Sequence, residues 1–258
     1  MGILNVTPDS FSDGGDFFGL ESALEHAQQM VADGASIIDV GGESTRPGAE
    51  AIPEPVEIER VIPVIEALTA QVDAVVSIDT SKPGVMRAAA EAGAGMINDV
   101  CALGAPGAME AAFQTGLPVC LMHMQGEPRT MQQDPHYDDV VAEVQAFLRG
   151  RVAACEQAGI PAERLLIDPG FGFGKTLAHN LRLLAHLDAL TALGRPILVG
   201  LSRKSMLGKL SGHPVRERVY AGVAAAVLAL ERGATIIRTH DVNATRDAVD
   251  FVTTLRSS

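Results

Sequence analysis

"LLIDPGFGFGKT", Leu165–Thr176, supports two readings that lead to different folds. As a glycine-rich loop closing on Gly-Lys-Thr, it suggests a phosphate-binding P-loop on an open nucleotide-binding sheet. As an apolar run that ends in a carboxylate and turns on glycines, it is one strand of a parallel sheet covered on both faces. A P-loop needs Gly-x-x-x-x-Gly-Lys-Ser/Thr, and counting back from Gly174-Lys175 puts Pro169 where the first glycine belongs. Gly170, Gly172 and Gly174 also miss the dinucleotide spacing, because Phe173 stands between the second and third. The nucleotide reading fails on spacing.

The strand reading recurs along the chain. "GILNV" (2–6), "SIIDVGG" (36–42), "AVVSIDT" (74–80), "MINDV" (96–100), "VCLMH" (119–123), "LLIDPG" (165–170), "ILVGLS" (197–202) and "TIIRTHD" (235–241) are all short, apolar and polar-tailed. Helical segments lie between them. "ESALEHAQQMVADG" runs to a glycine stop, and "SKPGVMRAAAEAGA" opens with Ser81, a better cap than Asp79, ahead of Pro83. In "YDDVVAEVQAFLRGRVAACEQAG", Val140, Val144, Phe147, Val152 and Cys155 keep roughly to one face. Eight βα units in 258 residues, without a linker or composition break, predict a (β/α)8 TIM barrel forming one domain over 1–258. The alternative is a doubly wound open sheet, which rarely carries eight uninterrupted units.

Bulk properties narrow the function. A net charge of -12 disfavours nucleic acid and anionic membrane surfaces as partners, since both demand a basic face. No run is long enough to cross a bilayer, and "MGILNVTPDS" lacks the basic head of a signal peptide. Cys101, Cys120 and Cys155 have no metal-type spacing and suit a reducing cytoplasm.

The chemistry sits in the strand tails: Asn5, Asp39, Asp79, Asn98 with Asp99, His123, Asp168, Arg203 with Lys204, and Arg238 with His240. In a barrel these ends share one rim, where barrel enzymes work. Any one acid there could be only a helix cap, but eight polar tails are hard to explain by capping. Buried Asp79, Asn98 and Asp168 need donors, which the guanidine-like edge of a flat heterocycle supplies. Arg238 and His240, two residues apart, lean to one face. With Asn5 and Arg46 they make a cationic corner suited to a phosphorylated group. The loops "TPDSFSDGGDFFG", "ESTRPGAEAIPEP" and "MQGEPRTMQQDPHYD" are long enough to be functional.

"MGILNVTPDSFSDGG", "IIDVGGESTRPGA", "SIDTSKP", "INDV", "LMHMQG", "DPGFGFGK", "LVGLSRKSMLG" and "IIRTHDV" together resemble the dihydropteroate synthases, over essentially the whole chain and in the family's order. The resemblance implies a TIM barrel and a transferase of folate biosynthesis that is a sulfonamide target. That reaction joins 6-hydroxymethyl-7,8-dihydropterin pyrophosphate to p-aminobenzoate and releases pyrophosphate. The resemblance also implies Mg2+ and a homodimer.

Carried over residue by residue, it puts the pterin on Asp79, Asn98, Met122, Asp168 and Lys204. Pyrophosphate falls to Asn5, Asp39, Arg46, Arg238 and His240, with Asn5 also ligating Mg2+. The p-aminobenzoate falls to Phe11, Thr45, Pro47, Phe173 and Ser205. Asp79, Asp168, Lys204, Arg238 and His240 would carry catalysis. On this reading the glycines after Asp168 let the loop approach a flat substrate, and Lys175 and Thr176 are bystanders. Family members carry a lead-in ahead of the first motif, so either the recorded start is late or the base of the barrel is less covered here. Two rivals remain: a pterin methyltransferase barrel, which has no use for Arg46, Arg238 and His240, and a non-catalytic pterin or phosphate binder.

Overall fold

The structure, a computed structural model, describes residues 1–6, 15–44, 51–127 and 130–258, the side chains of 15–18 excepted. Phe11, Thr45, Arg46 and Pro47 therefore lie outside the described residues. The strands are β1 (Gly2–Asn5), β2 (Ile37–Gly41), β3 (Val75–Asp79), β4 (Met96–Asp99), β5 (Val119–Met122), β6 (Leu165–Asp168), β7 (Ile197–Gly200) and β8 (Ala234–Arg238). The helices are α1 (Gly15–Ala32), α2 (Glu54–Gln71), α3 (Pro83–Glu91), α4 (Ala108–Thr115), α5 (Val140–Gln157), α6 (Leu177–Ala185), α7 (Ser205–Ser211), α8 (Val219–Glu231) and α9 (Val242–Ser257).

Each strand pairs with the next in sequence order, β1 to β8, in one eight-stranded sheet. The sheet closes on itself: Ile3 N donates to Thr239 O (3.1 Å) and Thr239 N to Met1 O (2.9 Å), joining β8 to β1. This is the TIM barrel that the eight runs predict.

Period-two alternation sorts each strand into two faces. Leu4, Ile38, Val40, Ile78, Ile97, Leu121, Ile167 and Val199 join the helices in the main core. Met96, Cys120, Leu166 and Leu198 form a second cluster, with Met1, Ile37 and Ile236 packed against it. This second cluster plugs the barrel's interior. Two residues beyond plug members Ile37, Met96, Cys120, Leu166 and Ile236 come Asp39, Asn98, Met122, Asp168 and Arg238, on the same inward face and one step nearer the mouth. Burying each Leu or Ile stabilises the fold by about 1.5–3 kcal/mol, and the same alternation aims the polar tails at a common cavity.

Four local expectations are corrected. The ladders stop at Asp168, Gly200 and Arg238, short of the apolar runs' ends, because the chain turns over the rim there. The buried face of α5 is Val140, Val144, Leu148, Val152 and Cys155. Phe147 is 36% exposed, and its ring meets His123 edge-on at 4.9 Å. Ser81 does not cap α3, whose N-cap is Lys82 with no side-chain bond. Instead the Ser81 hydroxyl donates to Asp99, which also accepts from Cys101 N and Leu103 N at 2.8 Å each. Asp99 thus leaves the group of mouth residues: it is fully buried and ties down the chain after β4.

Away from the mouth, a cavity of about 180 Å³ lies between β8, β2 and α9, lined by Ile37, Ile236, Val242 and Val249 among others. Among the described residues no helix is long and apolar enough to cross a membrane.

Candidate active site at the barrel mouth

Arg238 organises the mouth. Its Nε donates to Asp39 Oδ2 at 2.6 Å and its Nη2 to Asp79 Oδ2 at 2.8 Å, linking β8 to β2 and β3 across the barrel. Asn98 Nδ2 donates to the same Asp39 oxygen at 3.0 Å. Burial works against the Arg238 charge, but Asp39 and Asp79 outweigh it and raise its pKa above that of ordinary arginine. One guanidinium serves two carboxylates, so a negative charge is left over. The remaining oxygens, Asp39 Oδ1 and Asp79 Oδ1, are buried and have no hydrogen-bond partner among the described residues. Unpaired buried acceptors are expensive, and they await donors.

The surplus charge falls on Asp79. Burial pushes its pKa up to about 7, against the pull of Arg238 and with the push of Asp39. The folded state then holds a proton that the unfolded chain releases near its ordinary value, so this group's contribution to stability is largest below that value and fades as pH rises towards 7. Asp79→Asn should therefore lose ground to the wild type most at about pH 4, and the gap should narrow by about pH 7. Unfolding curves of both proteins across that range check it; a gap that widens with pH would contradict the assignment.

Asp168 closes the floor from β6. Its carboxylate accepts from Gly170 N at 2.7 Å, and Met122 is its cross-strand neighbour. Burial raises its pKa, while Lys204, the Gly170 N–H and Lys175 oppose the rise. Lys204 follows β7 and is pulled by burial down to about 8, against the attraction of Asp168. Its ammonium donates to the Phe171 carbonyl and lies 4.7 Å above the Phe173 ring, a cation–π contact. Ser205 opens α7 beside it and is exposed.

The cationic corner is more neutral than its sequence suggests. Arg238 is spoken for by two acids, and Arg203 pairs with Asp241 at 2.5 Å. His240 Nδ1 lies 3.1 Å from Ser202 Oγ, which also accepts from the His240 backbone N–H at 3.1 Å. Asn5 stands at the end of β1. A Cβ placed on neighbouring Gly41 would come 3.7 Å from Asn5 Oδ1 and 3.9 Å from Asp79 Oδ2. The Asn5 amide oxygen is of the hard kind that Mg2+ takes, since that ion uses one or two protein oxygens and completes its shell from substrate phosphates and water. Among the described residues no group of three His, Cys, Asp or Glu could hold a metal alone.

The sequence reading gave Lys175 no structural part, and the glycines also serve the packing of the loop. Lys175 is 3% exposed, and its Nζ meets Gly170 O (2.9 Å), Phe173 O (3.0 Å) and His123 Nδ1 (2.9 Å). Thr176 caps α6 in a reciprocal box with His179, at 3.2 and 3.3 Å. Neither is a bystander to the fold. Gly170 and Gly174, at φ +67° and +60°, press against the His123 and Gln125 carbonyls of the neighbouring loop. Their smallness serves loop-against-loop packing.

The match to known proteins is broad. A family profile described as "Pterin binding enzyme" matches residues 1–240. Dihydropteroate synthase of Escherichia coli is 56% identical over 252 residues, covering 98% of this chain and 89% of its own. The Haemophilus influenzae enzyme of the same name is 52% identical, covering 96% and 90%. The Xanthomonas albilineans dihydropteroate synthase solved with 4-aminobenzoic acid superimposes with a TM-score of 0.94 at 55% identity, over 100% of this chain and 93% of its own. The same enzyme solved with 7,8-dihydropteroate gives a TM-score of 0.90 at 52% identity over 100% and 93%. With the profile spanning the barrel and these relatives spanning nearly the whole chain, this protein belongs to the pterin-binding enzyme family, on its dihydropteroate synthase branch.

Proposed function

We propose that the barrel mouth holds both substrates of this transferase, which condenses 6-hydroxymethyl-7,8-dihydropterin pyrophosphate with p-aminobenzoate to give 7,8-dihydropteroate and pyrophosphate. The observation that carries the site assignment is the acceptor-rich floor: Asp168 on one side, and the partnerless oxygens of Asp39 and Asp79 on the other. A pterin brings the missing donors along its 2-amino/N3 edge. Asp168 takes that edge, Asn98 and Asp79 take ring nitrogens, Met122 packs on the ring, and Lys204 reaches its acceptor side. Arg238, His240, Asn5 and the loop residue Arg46 face the diphosphate. Phe173 and Ser205 wall the p-aminobenzoate, with Phe11, Thr45 and Pro47 from the long loops. A sulfonamide would enter by the same wall.

Catalysis then rests on positioning and electrostatics. The bond between the exocyclic carbon and the diphosphate oxygen breaks as Arg238 and His240 neutralise the departing charge. The electron-rich pterin and the surrounding carboxylates stabilise the developing cation. The arylamine, already nucleophilic, forms the new C–N bond and gives its proton to solvent. Mg2+, when bound beside Asn5, supplies further charge neutralisation on the diphosphate. We place the reaction in the cytoplasm, consistent with three free thiols. We assign a homodimer to the exposed apolar side chains Tyr220, Leu228, Phe251 and Leu255 of α8 and α9.

Pyrophosphate release that requires both substrates tests the activity. Asp168→Asn tests the pterin assignment: it keeps an acceptor for Gly170 N but loses a charge-assisted partner. It should weaken pterin binding about ten- to a hundredfold, equivalent to about 1.5–3 kcal/mol. Calorimetry showing unchanged pterin affinity would remove Asp168 from the site.

A further inference from the structure

We propose that Lys175 is a positioning residue for the condensation: its buried ammonium folds the β6–α6 loop around itself and so holds the Phe173 ring and the Phe171 carbonyl against Lys204. The inference rests on the reading above that Phe173 and Lys204 face the substrates.

An ammonium has three protons, and Lys175 spends all three inside the protein, on Gly170 O, Phe173 O and the His123 ring nitrogen. The two carbonyls bracket Phe171, so drawing both to one cation bends the segment between them. Phe171 O is then left to receive Lys204, and the Phe173 ring lies beneath the same ammonium. The third bond reaches the other loop. His123 is fixed by its own backbone N–H to Asp168 O at 2.9 Å, so Lys175 ties the glycine run to the end of β5 and to the pterin-facing acid.

No ladder could do this work. Gly170, Gly172 and Gly174 all sit at positive φ; apart from the Phe173 N–H, which also meets Gly170 O at 3.1 Å, side chains supply the donors to the loop's carbonyls. Tyr137 OH supplies Gly174 O at 2.9 Å, and Gln132 supplies Gly172 O. Lys175 supplies the two that flank the Lys204 contact. Burial draws the Lys175 pKa down to about 7 against the attraction of Asp168, and it holds His123 down at about 3, so the imidazole is neutral and its Nδ1 accepts. A buried charge is costly unless it is paired and hydrogen-bonded, and the cap of α6 is Thr176, not Lys175.

A double-mutant cycle with Phe173 tests the idea. Lys175→Met should raise the KM for p-aminobenzoate about tenfold or more while kcat changes less than about threefold. In a Phe173→Ala background the same change should add less than about twofold, since the group it positions is gone. Additive effects would reduce Lys175 to a stabiliser of the fold and overturn the proposal. So would an unchanged KM in Lys175→Met alongside a raised KM in Phe173→Ala, with the site reading left standing. If Phe173→Ala and Lys204→Met both leave the KM for p-aminobenzoate and the pterin affinity unchanged, the site reading fails and takes this inference with it. Should Lys175→Met not fold, Lys175→Gln, uncharged but still a donor to two carbonyls, replaces it in the cycle.

Discussion

Arg238→Met should lower kcat/KM by about a hundred- to a thousandfold and the folding stability by about 3–5 kcal/mol. The two losses share one cause. The guanidinium is the common partner of Asp39 and Asp79, and both acids are largely withdrawn from solvent. Removing it leaves two buried carboxyl groups facing one another without their cation, and it also removes the group that meets the leaving diphosphate. The stability loss has a pH signature. Asp79 already holds its proton up to about 7, and without the cation it holds it more tightly. A proton taken up on folding favours the folded state as pH falls. The variant should therefore recover part of its deficit at about pH 5 relative to about pH 8. Pyrophosphate affinity should drop further than that of hydroxymethylpterin. Chemical denaturation at the two pH values and calorimetry with each ligand give the result. An equal deficit at both pH values would mean that the carboxylates are not what Arg238 holds in balance.

Gly170→Ala is the second large effect, and it strikes the fold first. An added Cβ would stand 1.8 Å from the His123 carbonyl oxygen, a backbone atom that cannot swing aside, and φ is +67°. The left-handed conformation alone costs about 1–2 kcal/mol for a residue with a side chain. Relieving the overlap means separating the β6 loop from the β5 loop, which also breaks the Lys175 bridge. A total above about 4 kcal/mol is expected, which lowers the melting temperature by about 8 °C or more for a chain of this size. Gly172→Ala is the control. It shares the positive φ, but its nearest neighbour is the flexible Lys204 side chain at 3.3 Å. It should cost only about 1–2 kcal/mol. Thermal melts of the two variants showing equal losses would discount the loop-against-loop contact.

Much of this barrel is written in a two-residue rhythm. Asp79, Asn98, Asp168 and Arg238 were legible because they follow apolar strands, and their meeting at one mouth follows from closure. The role of Asp99 was not, since its partners are a hydroxyl from another βα unit and two backbone N–H groups after β4. Ser81 looked like a cap because its real partner, Asp99, comes from another βα unit. Phe147 and Leu148 are both apolar, and one residue of helical phase decided between them. Lys175 was invisible for a different reason. Its partners are two backbone carbonyls and a histidine 52 positions away, and carbonyls leave no mark in a sequence.

The pairs that Arg238 makes span 199 and 159 residues of chain. The two acids come from the first third of the chain, and their counterion arrives on the last strand. A ribosome-bound fragment lacking β8 would have to bury like charges with nothing between them, so an early half-barrel gains little by compacting. Docking of the final strand both shuts the cylinder and brings in the one cation that the two early acids share.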